Sequence, residues 1–240
     1  MANRMSILKS FVSLFPGGEK LARKVSYFRR GRKMAKIGNT EDRFTYIFEH
    51  NKWKDPESVS GAGSSIGVTE SIRAEIPRLL AGFGVATMLD APCGDYNWFR
   101  LVERGQVAYI GGDIVQALVD TNQATYGDEK TSFVHLDITK DDLPDVDLWM
   151  CRDCLLHLSF ELIDQALANL QRSNIRYFLA STYPGITENH DIPTGHARLL
   201  NLNLPPFNFP QALTIIEDTP AGANETKHLG LWEKSQLLIQ

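Results

Sequence analysis

The sequence predicts an α/β protein built on a doubly wound, seven-stranded sheet, mostly parallel, with helices on both faces. Three observations predict it. Short apolar runs alternate with segments of helical period from residue 69 to 181. Acids stand directly after three successive runs, at Asp90, Asp113 and Asp137. The last two runs are joined by a turn-rich link, which makes them an antiparallel edge. Strand–helix alternation itself implies parallel pairing through right-handed crossovers.

The chain has 240 residues, 43% of them hydrophobic and 22% charged, as in an ordinary globular protein. Its net charge of −4 conceals an asymmetry. Residues 1–40 hold ten Lys or Arg and one acid, leaving 15 bases against 28 acids in the rest. An acidic body disfavours a broad nucleic-acid surface, which needs Lys and Arg against phosphate. Three cysteines give no disulfide framework and fit a reducing, cytoplasmic setting. No apolar run approaches a bilayer span. The amino-terminal residues lack a small-residue cleavage pattern, which argues against a signal peptide.

Two domains are expected: residues 1–57, a basic helical extension, and residues 58–240, the main domain. Within the extension, Ile7, Leu8, Phe11, Val12 and Phe15 fall at helical spacing and Pro16-Gly17-Gly18 ends that helix. A basic helix follows, and a third spans Glu41 to His50. Residues 58–65 (SVSGAGSS) form a loop by composition. Thr69 is the expected N-cap of a helix with Ile72, Ile76, Leu79, Leu80 and Phe83 on one face, ended by Gly84. Strands are then expected at 86–89, 107–111, 132–136, 146–150, 176–181, 213–217 and 228–232, with helices at 96–103, 115–126 and 160–171. Residues 182–211 carry no clear period, and 30 residues is long for a plain connector.

Ligands of an open α/β sheet bind beyond the carboxyl ends of its strands. Carboxylates there suit a cationic or hydroxyl-rich ligand and would repel a pyrophosphate. The dinucleotide fingerprint GxGxxG is absent, and so is the phosphate loop GxxxxGK[ST], which weighs against NAD and ATP.

At these residues the chain resembles the class I S-adenosylmethionine-dependent methyltransferases, whose fold is Rossmann-like. MLDAPCGDYNWF resembles their first motif, in a variant with an APCGD turn. YIGGDIV is similar to the second, FVHLDIT to the third and DLWMCRDCLLHLS to the fourth, so the likeness covers roughly residues 58–235. Asp113 follows Asp90 by 23 residues, close to the ~20 expected for a ribose-binding acid in βαβ nucleotide sites.

The resemblance implies S-adenosyl-L-methionine as methyl donor and no metal. It places Asp113 on the ribose hydroxyls, Asp137 on the adenine amine, and Ile114 and Ile138 against the ring. Asp90 would order the turn or meet the methionine amine, with Ala91, Pro92, Cys93 and Gly94 in the donor-binding turn, and Cys151 and Arg152 belong to the fourth motif, which faces both the donor and the acceptor. Pro92 and Tyr96 stand where the family has glycines. Proline removes a backbone donor, so Ser60, Gly61 and Gly63 are expected to supply replacements.

Asp153, His157 and His190 are the candidate bases for an oxygen acceptor, with Asp191 and His196 beside them, and residues 183–209 are expected to shape the acceptor pocket. Cys151 and Cys154 form a CxxC without the two further ligands of a zinc site, so packing is their expected role.

The acceptor implied is a small or sugar-like molecule methylated on oxygen. Likeness to bacterial glycan-modifying enzymes with the same turn points that way. Two other readings stay open: a non-catalytic binding or partner protein on the same fold, and an RNA methyltransferase, which the acidic body disfavours. For residues 1–36 a helical cap, a lid and peripheral contact with the inner membrane face are the alternatives.

Overall fold

The structure, a computed structural model, describes residues 37–237. The sheet lies wholly within the compact unit Thr40–Gln240. The expectations for residues 1–36 lie outside the described residues. Among the described residues no helix is long and apolar enough to cross a membrane.

Helix α1 (Thr40–Glu49) leads through a loop containing a 3-10 turn (Ala62–Ser64) to α2 (Glu70–Gly82). The sheet comes next: β1 (Thr87–Asp90), β2 (Ala108–Asp113), α3 (Gln116–Tyr126), β3 (Thr131–His135), β4 (Leu148–Cys151), α4 (Phe160–Arg172), β5 (Tyr177–Thr182), β6 (Thr214–Glu217) and β7 (His228–Glu233). The strand order is β3-β2-β1-β4-β5-β7-β6. The first five strands are parallel, while β7 runs antiparallel to β5 and β6. The seven-stranded Rossmann-like architecture is as the sequence predicts.

Strand residues alternate between two buried cores, because successive side chains leave a strand on opposite faces. Leu89, Trp149, Cys151, Phe178 and Ala180 join one core with the α4 residues Ile163, Ala166, Leu167 and Leu170. Met88, Leu148, Met150, Tyr177 and Leu179 join the other with the α2 residues Ile72, Ile76, Leu79 and Leu80. At the amino edge the Asp147 carboxylate accepts the Ala86 N–H, the Thr87 N–H and the Thr87 hydroxyl, tying β1 to β4.

One predicted element is absent. The helix expected over 96–103 is only a 3-10 turn at Phe99–Leu101. Tyr96 takes a positive φ of 56°. That conformation is unfavourable in a helix and turns the ring into an aromatic cluster with Phe99, Tyr109, Tyr126 and Phe133. Packing of the ring overrides the local helical pattern. The α1 helix, expected within the basic extension, belongs to the Thr40–Gln240 unit.

Candidate donor and acceptor site

From β1 the chain runs outward to β2 and β3, then returns past β1 to β4 and β5. Such a switch point opens a crevice over the carboxyl ends of the strands. A cavity of about 620 Å³ is lined there, within the size range of small-molecule sites.

Asp90 and Asp113 end β1 and β2, Asp137 follows β3 by two residues, and all three line this cavity. The Asp113 carboxylate is fixed by two backbone donors: Gly94 N–H to Oδ2 at 3.0 Å and Val115 N–H to Oδ1 at 2.9 Å. Each oxygen keeps further lone-pair capacity. Burial pushes the Asp113 pKa up to about 6, against the opposing pull of those N–H groups. Asp90 accepts the Tyr109 hydroxyl at 2.8 Å. Burial pushes its pKa up to about 7, although that hydrogen bond and the Arg152 charge act the other way. In both groups burial disfavours the charged form, and in both it outweighs the neighbours that favour it.

Asp137 is more committed. Its Oδ1 accepts the Thr139 N–H and hydroxyl, and its Oδ2 accepts Lys140 Nζ. Burial would raise its pKa, but these donors outweigh it and hold the group below the usual range. Leu136, Ile138, Ile114 and Leu118 give this part of the cavity apolar walls.

The first turn is held from several sides. Gly94 has a positive φ of 56°. An added Cβ there would overlap the Ser60 hydroxyl, so this turn needs glycine for both conformation and space. The Gly94 carbonyl accepts Asn122 Nδ2 at 2.7 Å. Asp95, to which sequence reasoning assigns no role, binds the 58–65 loop by accepting the Ser58 hydroxyl, the Val59 N–H and the Ser60 hydroxyl. The Ser60 hydroxyl in turn accepts the Asp95 N–H. Ser60, Gly61 and Gly63 line the cavity, and the Ser60 side chain serves this loop-to-turn clasp.

Pro92, Cys93, Gly94, Ile114, Ile138 and Arg152 also line the cavity. Ala91 and Cys151 do not. Both are fully buried in the core, where the Ala91 carbonyl accepts Trp149 Nε1–H at 3.0 Å. Cys93, Cys151 and Cys154 are buried free thiols. Among the described residues no group of three or more His, Cys, Asp or Glu could hold a metal ion.

The turn after β4 carries charges whose partners sequence reasoning does not find. Arg152 donates to both Asp218 oxygens, from Nε at 2.8 Å and from Nη2 at 3.0 Å, and Nη2 also donates to the Gly63 carbonyl. Lys227 Nζ lies 2.8 Å from Asp153 Oδ2 and 2.8 Å from Asp218 Oδ2. Burial would raise the Asp153 pKa, but the Arg152 and Lys227 charges dominate and bring it down to about 2. Asp153 is thereby a fixed anion and a weak base.

His157 also lines the cavity, with its Nδ1 2.8 Å from the His196 carbonyl. A carbonyl only accepts, so Nδ1 carries the proton and Nε2 the lone pair. Burial lowers the His157 pKa, keeping the ring neutral near pH 7. His190 is placed elsewhere: its side chain is 72% exposed, beside Glu188, and does not line the cavity. Asp191 caps α4 through the Phe160 N–H. Of residues 183–209, only Tyr183 and Leu199 reach the lining. The rest is stitched down by Asn189, Asn201 and Asn203, whose amides satisfy loop carbonyls. In its place the 218–227 link supplies Pro220, Ala223, Asn224, Glu225 and Lys227, and α1 supplies Phe44 and Phe48.

No family model matches the chain, and no curated protein matches its sequence. Solved structures do match. The Burkholderia thailandensis 1,6-didemethyltoxoflavin-N1-methyltransferase, with bound 1,6-didemethyltoxoflavin and S-adenosylhomocysteine, aligns with TM-score 0.56 and 14% identity over 80% of this chain and 86% of that one. Magnesium protoporphyrin IX methyltransferase from Synechocystis PCC 6803, with bound S-adenosylmethionine, gives 0.53 and 16% over 82% and 98%. Human N-acetylserotonin methyltransferase, also in complex with S-adenosylmethionine, gives 0.50 and 13% over 68% of this chain and 52% of that one, so this chain corresponds to about half of its length. At such identities the likeness is one of fold: the chain has the Rossmann-like methyltransferase fold.

Proposed function

We propose that the protein is an S-adenosylmethionine-dependent methyltransferase that methylates a hydroxyl oxygen of a small, sugar-like acceptor. The observation that supports it most is the convergence of Asp90, Asp113 and Asp137 on one cavity at the switch point of the sheet. The residues present fit the donor. Asp113, pinned through two N–H groups, has lone pairs left for a ribose diol. The slot of Ile114, Leu118, Leu136 and Ile138 suits a flat base. Asp90 is a buried carboxyl suited to an ammonium.

When bound, the donor supplies an electrophilic methyl group whose transfer to oxygen leaves the carbon–sulfur bond pair on sulfur. The chain's own contribution is alignment and proton removal. We assign the base to His157, because its Nδ1 is held by the His196 carbonyl and its Nε2 makes no hydrogen bond among the described residues. Asp153, held ionised by Arg152 and Lys227, is left to bind rather than to take a proton.

Co-crystallisation with S-adenosylhomocysteine tests the reading. The ribose is expected on Asp113 and the amino-acid end beside Asp90 and Gly94. A nucleoside bound away from β1 and β2 would overturn it.

A further inference from the structure

We propose that Asp153 holds the acceptor and that the acceptor carries two neighbouring hydroxyls, one donated to Asp153 and the other presented to His157 Nε2. This rests on the methyltransferase reading above and narrows it to a substrate class, the vicinal diol.

The argument begins with the charge cluster. Arg152, Lys227, Asp153 and Asp218 are two cations and two anions linked by contacts of 2.8–3.5 Å. The Arg152, Lys227 and Asp218 side chains are 4%, 4% and 0% exposed, whereas Asp153 is 25% exposed. The cluster is neutral as a whole; Arg152, Lys227 and Asp153 all line the cavity, and of the three the Asp153 carboxylate is the most exposed. An acidic acceptor would meet that carboxylate, while both cations are already bonded to Asp218 and Asp153. A hydroxyl donor would be welcome.

Asp153 also has room for such a donor. An ionised carboxylate offers about four lone-pair sites. The Ser181 hydroxyl takes one on Oδ1 at 3.1 Å and Lys227 Nζ one on Oδ2 at 2.8 Å. The backbone of Asp153 is held at a positive φ of 51°, with its N–H donated to the Ser181 hydroxyl at 2.9 Å. A non-glycine residue kept in that region is a cost the fold sustains at few places, and functional sites are where such outliers concentrate.

The second donor position comes from the local chain path. Four residues after Asp153, the 3-10 turn Leu155–His157 returns the His157 ring to the same cavity. The Trp53 ring lies 5.5 Å from it, tilted by 36°. Trp53 thus gives this end an aromatic face against which a ring can lie. In the transfer step the acceptor oxygen forms its bond to the methyl carbon, the carbon–sulfur bond breaks with its pair left on sulfur, and the hydroxyl proton passes to His157 Nε2. The hydroxyl on Asp153 keeps its proton and fixes the angle of attack.

The test uses the full chain, S-adenosylmethionine, and a panel of phenyl pyranosides with intact vicinal hydroxyls beside their monodeoxy counterparts. Binding of each is also measured calorimetrically with S-adenosylhomocysteine present. Intact diols should be methylated, and removal of the neighbouring hydroxyl should weaken both binding and kcat/KM about tenfold or more, the scale of a lost hydrogen bond to a charged group. Asp153→Asn should raise KM for the diols and narrow their advantage, with a smaller change in kcat and an unchanged donor Kd. The wild-type comparison stands even if that variant fails to fold. Equal handling of diols and monodeoxy compounds, or no transfer to any panel member while the donor binds, would overturn the assignment of the diol. Failure of the donor to bind would instead overturn the methyltransferase reading beneath it.

Discussion

The Asp113 carboxylate accepts the Gly94 N–H at 3.0 Å, so the end of β2 holds the turn that follows β1. The same group is the one assigned to the ribose. Shape of the turn and grip on the nucleoside are therefore linked through one side chain, and glycine at position 94 is part of that link.

Gly94→Ala should destabilise the protein by more than Gly84→Ala. Both glycines have positive φ, 56° and 63°, a conformation costing an alanine roughly 1–2 kcal/mol. At Gly84 the new Cβ meets nothing within 4 Å, whereas at Gly94 it meets Ser60. Urea denaturation of the two variants measures the difference, and equal losses would contradict the clasp between Ser60 and the first turn.

Arg152→Met should cost about 1–3 kcal/mol, the scale of lost hydrogen bonds to a charged group. Asp218, wholly buried, loses both hydrogen bonds from Arg152 and keeps only Lys227 Nζ, which it shares with Asp153. Replacing Arg152 and Asp218 together by apolar residues should recover part of the loss. A mild single-variant effect in chemical denaturation would mean the cluster is more hydrated than its burial implies.

The raised pKa of Asp90 makes a prediction about pH. The folded chain holds its proton up to about 7, while the unfolded carboxyl releases it near 3.8. In that window the unfolded state binds fewer protons, so this group's contribution to stability falls as pH rises from about 4 to 7. Asp90→Asn, which can still accept the Tyr109 hydroxyl, should raise the Tm of the ligand-free protein more at pH 8 than at pH 5. Asp153 acts in the opposite sense. Its lowered pKa gives stability that is present above 3.8 and lost as pH falls toward 2. A flat Asp90→Asn effect between pH 5 and 8 would contradict the burial argument.

If His157 removes the acceptor proton, His157→Gln should lower kcat/KM by about 10²–10⁴ and leave donor affinity near the wild-type value. Because burial lowers its pKa, the acid limb of the wild-type profile should fall below the ordinary histidine value, and the variant should lack that limb. Retention of the limb would move the base elsewhere.

Much of the fold and of the donor side is legible in the sequence. The strands come from short apolar runs, and Asp90, Asp113 and Asp137 can be named because three successive runs are each followed directly by an acid. Asp153 and His157 can be named because they lie just beyond the fourth run. The partners of Arg152 cannot. Asp218 and Lys227 flank a turn-rich link with no period, and only the β5–β7–β6 pairing carries them to the end of β4. The α1 wall escapes sequence reading for a different reason: Phe44 and Phe48 sit on a short helix that the expected boundary at residue 57 assigns to the extension. Asp95 gives one faint signal, a carboxylate directly after the glycine of the turn, whose partner is a serine-rich loop 35 residues earlier. The 183–209 segment carries less of the site than its composition suggests, since its polar residues satisfy one another and the backbone more than they face the cavity.

The central claim is that the strand-end carboxylates grip a sulfonium nucleoside. Isothermal titration of the purified chain with S-adenosylmethionine, repeated on Asp113→Ala, tests it most directly. The account predicts saturable binding by the wild type and a loss on the order of 1–3 kcal/mol in the variant, the scale of lost hydrogen bonds to a charged group. No binding by the wild type, or undiminished affinity in a folded Asp113→Ala protein, would contradict it.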